Sequence, residues 1–267
     1  MKVSAALLGL TLAICGTAAA QESAGDRVVV PARNTTHPRV VNVHMTHGSI
    51  TVKPYNGKEV IVESRSESGG RNNRSATVDG LKRVDLPPRG LTVEEDDNVI
   101  EVRATSSNVN GLTITVPPDT SLHLRSAQGD VNAEGVRGEV EAATSSGEIR
   151  LNNISGTVVA SSTNGSIKVV MDRVDPAKPL AFSSNNGNVD VTLPADLKAN
   201  VKLRSLHGEI GSDFEIRLSG PPAPTSSGGK DGKFRVQFDR TMYGTINGGG
   251  VEASFTTLNG RILIRKK

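Results

Sequence analysis

The sequence predicts an all-β protein, built as a parallel β-solenoid with coils of about 18 residues. Three observations predict it. Glycines recur at a fixed spacing, an apolar β-branched residue follows them by two positions, and aromatic residues make up only 3% of the chain. A fixed period is the sequence signature of stacked architectures. Because large rings usually fill a thick globular core, their scarcity favours a thin core of Val, Ile and Leu.

The N-terminus has the pattern of a secretory signal peptide, which is removed from the mature protein. Lys2 precedes an apolar run over residues 5–14, and Ala18 and Ala20 are the small residues at the −3 and −1 positions before Gln21. The run is shorter than the about 20 apolar residues that span a bilayer. We therefore expect cleavage between Ala20 and Gln21, no transmembrane segment after signal removal, and an exported protein that is periplasmic or associated with the cell surface.

The only cysteine, Cys15, lies inside this signal. Because Ile14 precedes it where a lipid-acceptor cysteine follows a small residue, we expect no lipidation and expect Cys15 to be removed with the signal. The mature chain then has no thiol, which excludes disulfides, cysteine metal sites and a cysteine nucleophile. The formal net charge is only +3. Without a dense basic run among aromatic residues, nucleic acid is not an expected partner.

The repeat is clearest over residues 129–165, where glycines are nine residues apart. The glycines in this phase are Gly129, Gly138, Gly147, Gly156, Gly165, Gly187, Gly208, Gly244 and Gly260. Glycine readily adopts the positive φ of a tight corner, and the polar–apolar alternation that follows predicts a short, half-buried strand. Hydroxyl residues three positions before many of these glycines are expected to bond local backbone groups in the turn. They are Ser126, Thr144, Ser162, Ser184, Ser205, Thr241 and Thr257.

Alternate glycines differ in what precedes them, so the full unit is about 18 residues with two strands per coil. Polar triplets precede Gly129, Gly147 and Gly165, but not the glycines between them. Stacked coils would place Val131 and Ile149 in one inner column. The alternative is an antiparallel β meander or sandwich, in which each glycine turn is a hairpin. We favour the solenoid because a meander does not need the 18-residue identity of the columns.

A longer duplication supports the repeat. Residues 115–119, TVPPD, lead to LRS and then GDV, whereas residues 192–196, TLPAD, lead to LRS and then GEI. Outside the signal at 1–20, we predict an N-terminal linker at 21–37 and a single β-repeat domain over 38–267. Loop insertions are expected at 65–83 and 219–233, where turn-forming residues are dense.

These segments resemble the bacterial "putative adhesin" family, a domain of unknown function in envelope proteins. The likeness covers most of residues 38–267 and rests on three stretches: TVPPDTSLHLRSAQGDVNAEGVRGEVEAATSSGEIRLNNISGTVVASSTNGSIKV, FSSNNGNVDVTLPADLKANVKLRSLHGEI and GGGVEASFTTLNGRILI. The resemblance implies a right-handed β-solenoid in an exported, often envelope-associated protein. It assigns no functional residue to this chain.

The sequence predicts no metal site, no cofactor and no catalytic group. His44 and His47 are three residues apart, so a strand would point them to opposite faces. Asp130 and Glu148 would stack about 5 Å apart on neighbouring strands, a spacing that could serve acid/base chemistry on a polysaccharide. Because Arg150 would partly neutralise them, we expect a solvated face there instead.

We therefore expect a non-enzymatic envelope protein, adhesin-like, that binds or scaffolds through a repetitive β surface. Two alternatives remain: an envelope polysaccharide-acting enzyme on a β-helix, and an accessory subunit of an envelope sensing system. The expected partner is an envelope polymer or an envelope protein. Open strand edges at the ends of a solenoid invite pairing, so we also expect caps or self-association there.

Overall fold

The computed structural model describes residues 27–32, 38–66, 77–78, 81–82, 90–105, 109–219, 225–228, 234–237 and 241–267. Within these ranges the chain forms strands and no helix, which confirms the predicted all-β class. The strands are β1 Arg27–Val30, β2 Arg39–His47, β3 Ser49–Pro54, β4 Val60–Ser66, β5 Thr77–Val78, β6 Leu81–Lys82, β7 Leu91–Asp96, β8 Val99–Ala104, β9 Val109–Val116, β10 Thr120–Gln128, β11 Val131–Glu134, β12 Glu139–Ser146, β13 Ile149–Asn164, β14 Ile167–Val174, β15 Leu180–Asn186, β16 Val189–Leu193, β17 Ala199–Ser205, β18 Ile210–Ser212, β19 Ile216–Ser219, β20 Thr225–Gly228, β21 Phe234–Gln237, β22 Thr241–Ile246, β23 Val251–Asn259 and β24 Ile262–Lys266.

Each coil contributes one strand to each of two parallel sheets, which we call sheet A and sheet B. In sheet A, Val131 pairs with Ile149 and Ile149 with Ile167. In sheet B, Val140 pairs with Val158. The partners are 18 residues apart and run parallel, so the solenoid and its period are confirmed and the meander is wrong for these coils. The long β13 belongs to both sheets and passes the corner at Asn153, whose φ is +54°.

The coils do not stack in chain order. From one end to the other, the described coils are β8–β9, β2–β3, β10–β11, β12 with the start of β13, the end of β13 with β14, β15–β16, β23–β24 and β17–β18. The N-terminal coil β2–β3 is therefore inserted near one end, and the C-terminal coil β23–β24 near the other. The duplicated segments at 115–119 and 192–196 are the two places where the chain skips over an inserted coil.

A column of glycines forms the corner from sheet B to sheet A. In stacking order it contains Gly48, Gly129, Gly147, Gly165, Gly187, Gly260 and Gly208. Gly147 has a φ of +148°, and a Cβ there would lie 2.1 Å from the carbonyl oxygen of Gly129 in the neighbouring coil. That distance is far below van der Waals contact, so the close approach of successive coils requires glycine at this corner.

Hydroxyl side chains follow the same corner and hold neighbouring coils together. Thr144 donates to the carbonyl oxygen of Gly129 at 3.1 Å, and Ser184 donates to that of Gly165 at 2.9 Å. Thr257 does the same to Gly187 at 3.0 Å. The sequence prediction of local turn bonds was wrong for these three residues, whereas Ser205 does accept a local bond, from the backbone N–H of Gly208 at 3.0 Å. The side chains of Thr144, Ser184 and Thr257 are buried three positions before the corner glycine, and each bonds the corner carbonyl oxygen of the adjacent coil.

The core is a thin stack of inward columns, mainly Val, Ile and Leu, between the two sheets. Its largest buried side chains are Phe182 and Phe255. They are paired in register across β15 and β23, and their rings stack with centroids 5.2 Å apart and an interplanar angle of 24°. The only aromatic contact inside the described core therefore joins the inserted C-terminal coil to the rest of the stack.

Antiparallel strands cover both sheets at one end of the stack and sheet B at the other, as expected of caps. β7 pairs with β8, and β4 pairs with β9 and β1 at one end. At the other end β22 pairs with β17 and with β19. Thr241, Gly244 and Ile246 were predicted to continue the repeat, but they lie in the antiparallel cap β22 and form no coil.

Strand pairing is present within the predicted linker and within both predicted insertions. Part of the predicted linker, Arg27–Val30, is a strand that pairs with β4. The predicted insertions at 65–83 and 219–233 lie largely outside the described residues. The described parts of these insertions include the antiparallel pair β5–β6 and the strand β20, which pairs with β21 just beyond the second one.

Candidate binding surface

Small side chains, most of them polar, cover the outer face of sheet B in the middle of the stack. Strand pairing aligns Ala143, Ser161, Ser183 and Thr256 in one outward column. At the strand ends, the amide of Asn186 donates to Asn164 at 2.9 Å, and that of Asn259 donates to Asn186 at 2.8 Å. We call this surface the polar face. Because none of these side chains is long, the face has low relief and offers hydroxyl and amide groups along the solenoid axis.

Three basic side chains continue the same outward column toward the N-terminal cap. Arg103 pairs in register with His44, and His44 with Arg125, which in turn is aligned with Ala143 of the polar face. We call Arg103, His44 and Arg125 the basic column. Neighbouring strands are about 4.8 Å apart, so Arg103 and Arg125 lie two strand repeats apart with His44 between them. An anionic ligand lying along the column could contact both guanidinium groups.

A shallow depression of about 260 Å³ lies over the basic column. The hydroxyl-bearing side chains of Thr46, Thr105 and Ser145 line it together with the three basic residues. The side chains of Arg103 and Arg125 are more than half exposed, at 57% and 55%. The depression therefore combines exposed cations with hydroxyl donors, a chemistry suited to carboxylate or phosphate groups.

Two carboxylates on the adjacent outward column partly balance this charge. Glu141 binds Arg125 at 2.8 Å and lies 3.2 Å from Nδ1 of His123. Glu101 lies 3.5 Å from Arg103 and accepts a 2.6 Å hydrogen bond from Asn42. The contact between Arg103 and Glu101 is long, at 3.5 Å. Because each guanidinium has five N–H donors, Arg103 and Arg125 both keep donors for a ligand.

The acid pair considered from the sequence is held by an arginine. Asp130 accepts a 2.8 Å hydrogen bond from the backbone N–H of Glu148, and its other oxygen lies 3.5 Å from Arg150. Arg150 also pairs with Glu148. Arg150 thus pairs with both Asp130 and Glu148, which agrees with the partly neutralised face expected from the sequence.

The four described histidines all lie at the surface. His44 belongs to the basic column, His123 pairs with Glu141, and His207 donates its backbone N–H to Leu258. His47 is exposed, as His44 is, and β2 ends at His47, where the chain turns at Gly48. His37 and the signal cleavage residues Ala18, Ala20 and Gln21 lie outside the described residues.

Sequence reasoning missed the basic column. Its members come from three strands that the inserted coil brings together, and they do not share the 18-residue period. Charged residues at outward strand positions were the only signal available, and such residues occur throughout the chain.

Two surface cations have shifted pKa values. A hydrogen bond to Glu139 raises the pKa of Lys178, and one to Asp190 raises the pKa of Arg265. Both shifts keep an already charged group charged at neutral pH, so neither creates a proton donor or acceptor tuned for catalysis.

Among the described residues, no three His, Asp or Glu side chains come together as metal ligands would. The same part of the chain contains no helix long and apolar enough to cross a membrane.

Comparison with known proteins gives a family and a set of structural likenesses. The sequence profile described as Toastrack DUF4097 matches residues 91–228. A "putative cell adhesion protein" of Clostridium sporogenes is 11% identical with a TM-score of 0.41, covering 91% of this chain and 100% of its own. A "putative adhesin" of Bacteroides fragilis is 11% identical with a TM-score of 0.38, covering 91% and 98%. No curated protein sequence matches the chain.

The family match spans half of the chain, from the N-terminal cap β7 through the repeated coils to β20. It confirms the family resemblance predicted from the sequence, and the chain belongs to the Toastrack DUF4097 family.

Proposed function

We propose that the protein is exported to the cell envelope and acts there as a non-enzymatic, adhesin-like binding protein for an anionic envelope polymer. The observation that carries the proposal is the alignment of the basic column with the polar face along one outward column of sheet B.

The geometry of that column suits an extended polymer. Arg103, His44 and Arg125 follow one another on adjacent strands, and Ala143, Ser161 and Ser183 continue the line. A rigid sheet holds these groups at a strand repeat of about 4.8 Å. A polymer lying along the axis could place a carboxylate or phosphate on the basic column while its hydroxyls bond the polar face. Such repeated weak contacts add up through multivalency.

Catalysis has less support than binding at the acid pair. Arg150 binds both Asp130 and Glu148, and the pair lies on the outer side of the glycine corner, partly exposed to water. A general acid works best when its pKa is raised by burial away from cations. The polysaccharide-acting enzyme is therefore the weaker alternative, and an accessory role in sensing has no observation in its favour.

A retention assay tests the binding proposal. Purified protein lacking residues 1–20, which leaves every described residue in place, is incubated with peptidoglycan, surface polysaccharide, lipid vesicles and solubilised envelope protein. We expect saturable retention on an anionic polymer fraction and little on uncharged polysaccharide. The double variant Arg103→Gln/Arg125→Gln should weaken retention by about tenfold or more, since each arginine gives charge-assisted hydrogen bonds.

The chain offers a matched control at the far end of the same face. Lys202→Gln/Arg204→Gln removes two exposed cations from β17, and Arg204 even lies in register with Thr256 of the polar face. This variant should keep most of the retention. Three outcomes would contradict the proposal. The first is an equal loss of retention in both double variants, and the second is retention only on lipid or protein. The third is turnover of a polysaccharide that Asp130→Asn/Glu148→Gln abolishes.

Export is tested by the N-terminus of the protein recovered from the envelope fraction of the producing cells. We expect the first residue to be Gln21. Recovery of the chain from the cytoplasm with Met1 or Lys2 at its start would contradict export.

A further inference from the structure

A second depression, of about 360 Å³, lies at the corner where the chain passes from sheet A back to sheet B. It is lined by Pro54, Tyr55, Asn56, Pro118, Gly135 and Arg137. Small-molecule pockets start at about 300 Å³, so this opening reaches the size for one small ligand. We call it the corner depression. It lies on the edge of the stack opposite the glycine column and shares no lining residue with the basic column.

The inserted N-terminal coil creates this depression. After β3 the chain leaves the coil at Pro54 and turns toward β4, while the segment at Pro118 skips from β9 to β10 past the inserted coil. The regular corner is therefore interrupted at this level. At the equivalent skip near the other end, the side-chain amide of Asn247 donates to the carbonyl oxygens of Ala195 and Leu197 at 3.3 and 2.8 Å. There the protein's own side chain occupies the corner.

Tyr55 forms a fixed aromatic wall of the corner depression. Its hydroxyl donates to the carbonyl oxygen of Glu59 at 2.7 Å and accepts from the N–H of the same residue at 2.8 Å. Gly57 lies directly against the ring, since a Cβ on it would be 2.0 Å from Cε2 of Tyr55. A ring held this way loses little conformational freedom when a ligand packs on it. Pro54 and Pro118 add apolar surface beside it.

Arg137 lines the depression, and Asp119 beside the depression neutralises its charge. Arg137 binds Asp119 through two contacts, Nε to Oδ1 at 2.9 Å and Nη2 to Oδ2 at 3.3 Å. The backbone N–H of Arg137 donates to the carbonyl oxygen of Pro118 at 2.7 Å, which fixes the start of the side chain. The second terminal nitrogen of the guanidinium keeps two donors, and the carboxylate keeps free lone pairs. A neutralised pair favours a ligand that both donates and accepts hydrogen bonds over a free anion.

We propose that the corner depression binds one ring of a neutral saccharide. The apolar C–H face of a sugar ring matches the surface of Tyr55 and the two prolines, and its neighbouring hydroxyls match the donors and acceptors of Arg137, Asp119 and Asn56. This site goes beyond the proposed function, because it differs from the basic column in place, in charge and in ligand class.

A titration followed by NMR and calorimetry tests the proposal. The protein is titrated with neutral oligosaccharides and, separately, with an acidic oligogalacturonide. We expect saturable binding of a neutral oligosaccharide, with signal changes centred on residues 54–56 and 135–137. Arg137→Met should weaken it by about tenfold, because it removes hydrogen bonds to the ligand. Tyr55→Phe should keep part of the binding, whereas Tyr55→Leu should lose most of it.

Lys178→Met is the matched control. Lys178 forms an ion pair with Glu139 at 2.7 Å along the same edge of the stack, but it does not line the depression. It should leave neutral-saccharide binding unchanged, and unfolding curves should confirm that Arg137→Met remains folded. The proposal is overturned if no neutral oligosaccharide binds, or if Arg137→Met and Lys178→Met bind equally well. Because Arg103→Gln/Arg125→Gln leaves the corner depression intact, retention on anionic polymer and binding of neutral saccharide can fail separately.

Discussion

The hydroxyl of Thr144 donates a hydrogen bond to the carbonyl oxygen of Gly129, 3.1 Å away in the neighbouring coil. Three residues further on, Gly147 packs against the same carbonyl group, which leaves no room for a Cβ. One backbone oxygen thus receives a side-chain donor and limits the size of the next corner residue. This relationship recurs along the stack, and it makes the glycine corner the feature on which stability should depend most sharply.

Replacing Gly147 with alanine should lower the free energy of unfolding by about 3 kcal/mol, since the added methyl would collide with a backbone oxygen that packed strands cannot move. Urea unfolding followed by circular dichroism measures this. Gly248 is the matched control, because its φ is +88° and nothing lies within 4 Å of a Cβ built on it. Gly248→Ala should lower the free energy of unfolding by only about 1 kcal/mol, because only the positive φ is unfavourable for alanine there. Equal costs would mean that the close approach at Gly147 is unimportant.

Replacing Thr144 with valine should destabilise the protein by about 1 to 2 kcal/mol, because the bond to Gly129 is lost at nearly constant volume. The opposite sign is expected for Thr120→Val. The hydroxyl of Thr120 is fully buried and has no hydrogen-bond partner within the described residues, so its removal should stabilise by about 1 kcal/mol. Thermal unfolding measures both effects. If the midpoint temperatures of Thr144→Val and Thr120→Val shift in the same direction, the roles assigned to the two hydroxyls are contradicted.

A double-mutant cycle should show energetic coupling between Phe182 and Phe255. Each change to alanine should cost about 3 to 5 kcal/mol as a large core truncation, and the coupling energy should be about 1 kcal/mol for stacked rings in contact. As a control, Leu112→Ala combined with Phe255→Ala should be additive, because Leu112 lies in β9 near the other end of the stack. Additivity of the two phenylalanine changes would contradict the insertion of the C-terminal coil beside β15.

Replacing Arg150 with glutamine should lower the free energy of unfolding by less than about 1 kcal/mol, because its partners Asp130 and Glu148 are partly exposed and solvent screens the pairing. The loss should shrink in 1 M salt, where the Debye length is about 3 Å. Unfolding curves at low and high salt measure it. A loss of several kcal/mol that persists in high salt would indicate a buried charge network in place of a solvated face.

Much of the fold could be predicted because its signals are local. The spacing of Gly129, Gly147 and Gly165 indicated corners, and the alternation after each one indicated half-buried strands. The acid pair beside Arg150 was also placed correctly, since one 18-residue period separates Asp130 from Glu148. The cap strand β22 was misjudged because Gly244 and Ile246 copy the local pattern of a coil. Pattern alone does not distinguish a strand that is parallel to its neighbour from one that is antiparallel.

The sequence by itself determined the strands, the corners, the 18-residue period and the family, because each depends on residues close together in the chain or on their repetition. Only the tertiary structure decided the order of the coils. Thr257 bonds to Gly187 across 70 residues, and Ser126 approaches Gly48 across 78. Any coil with the right inner columns can stack on any other, so the sequence pattern does not fix which ones become neighbours. The basic column and the corner depression both arise from the inserted N-terminal coil, and for that reason both candidate sites emerged only from the folded chain.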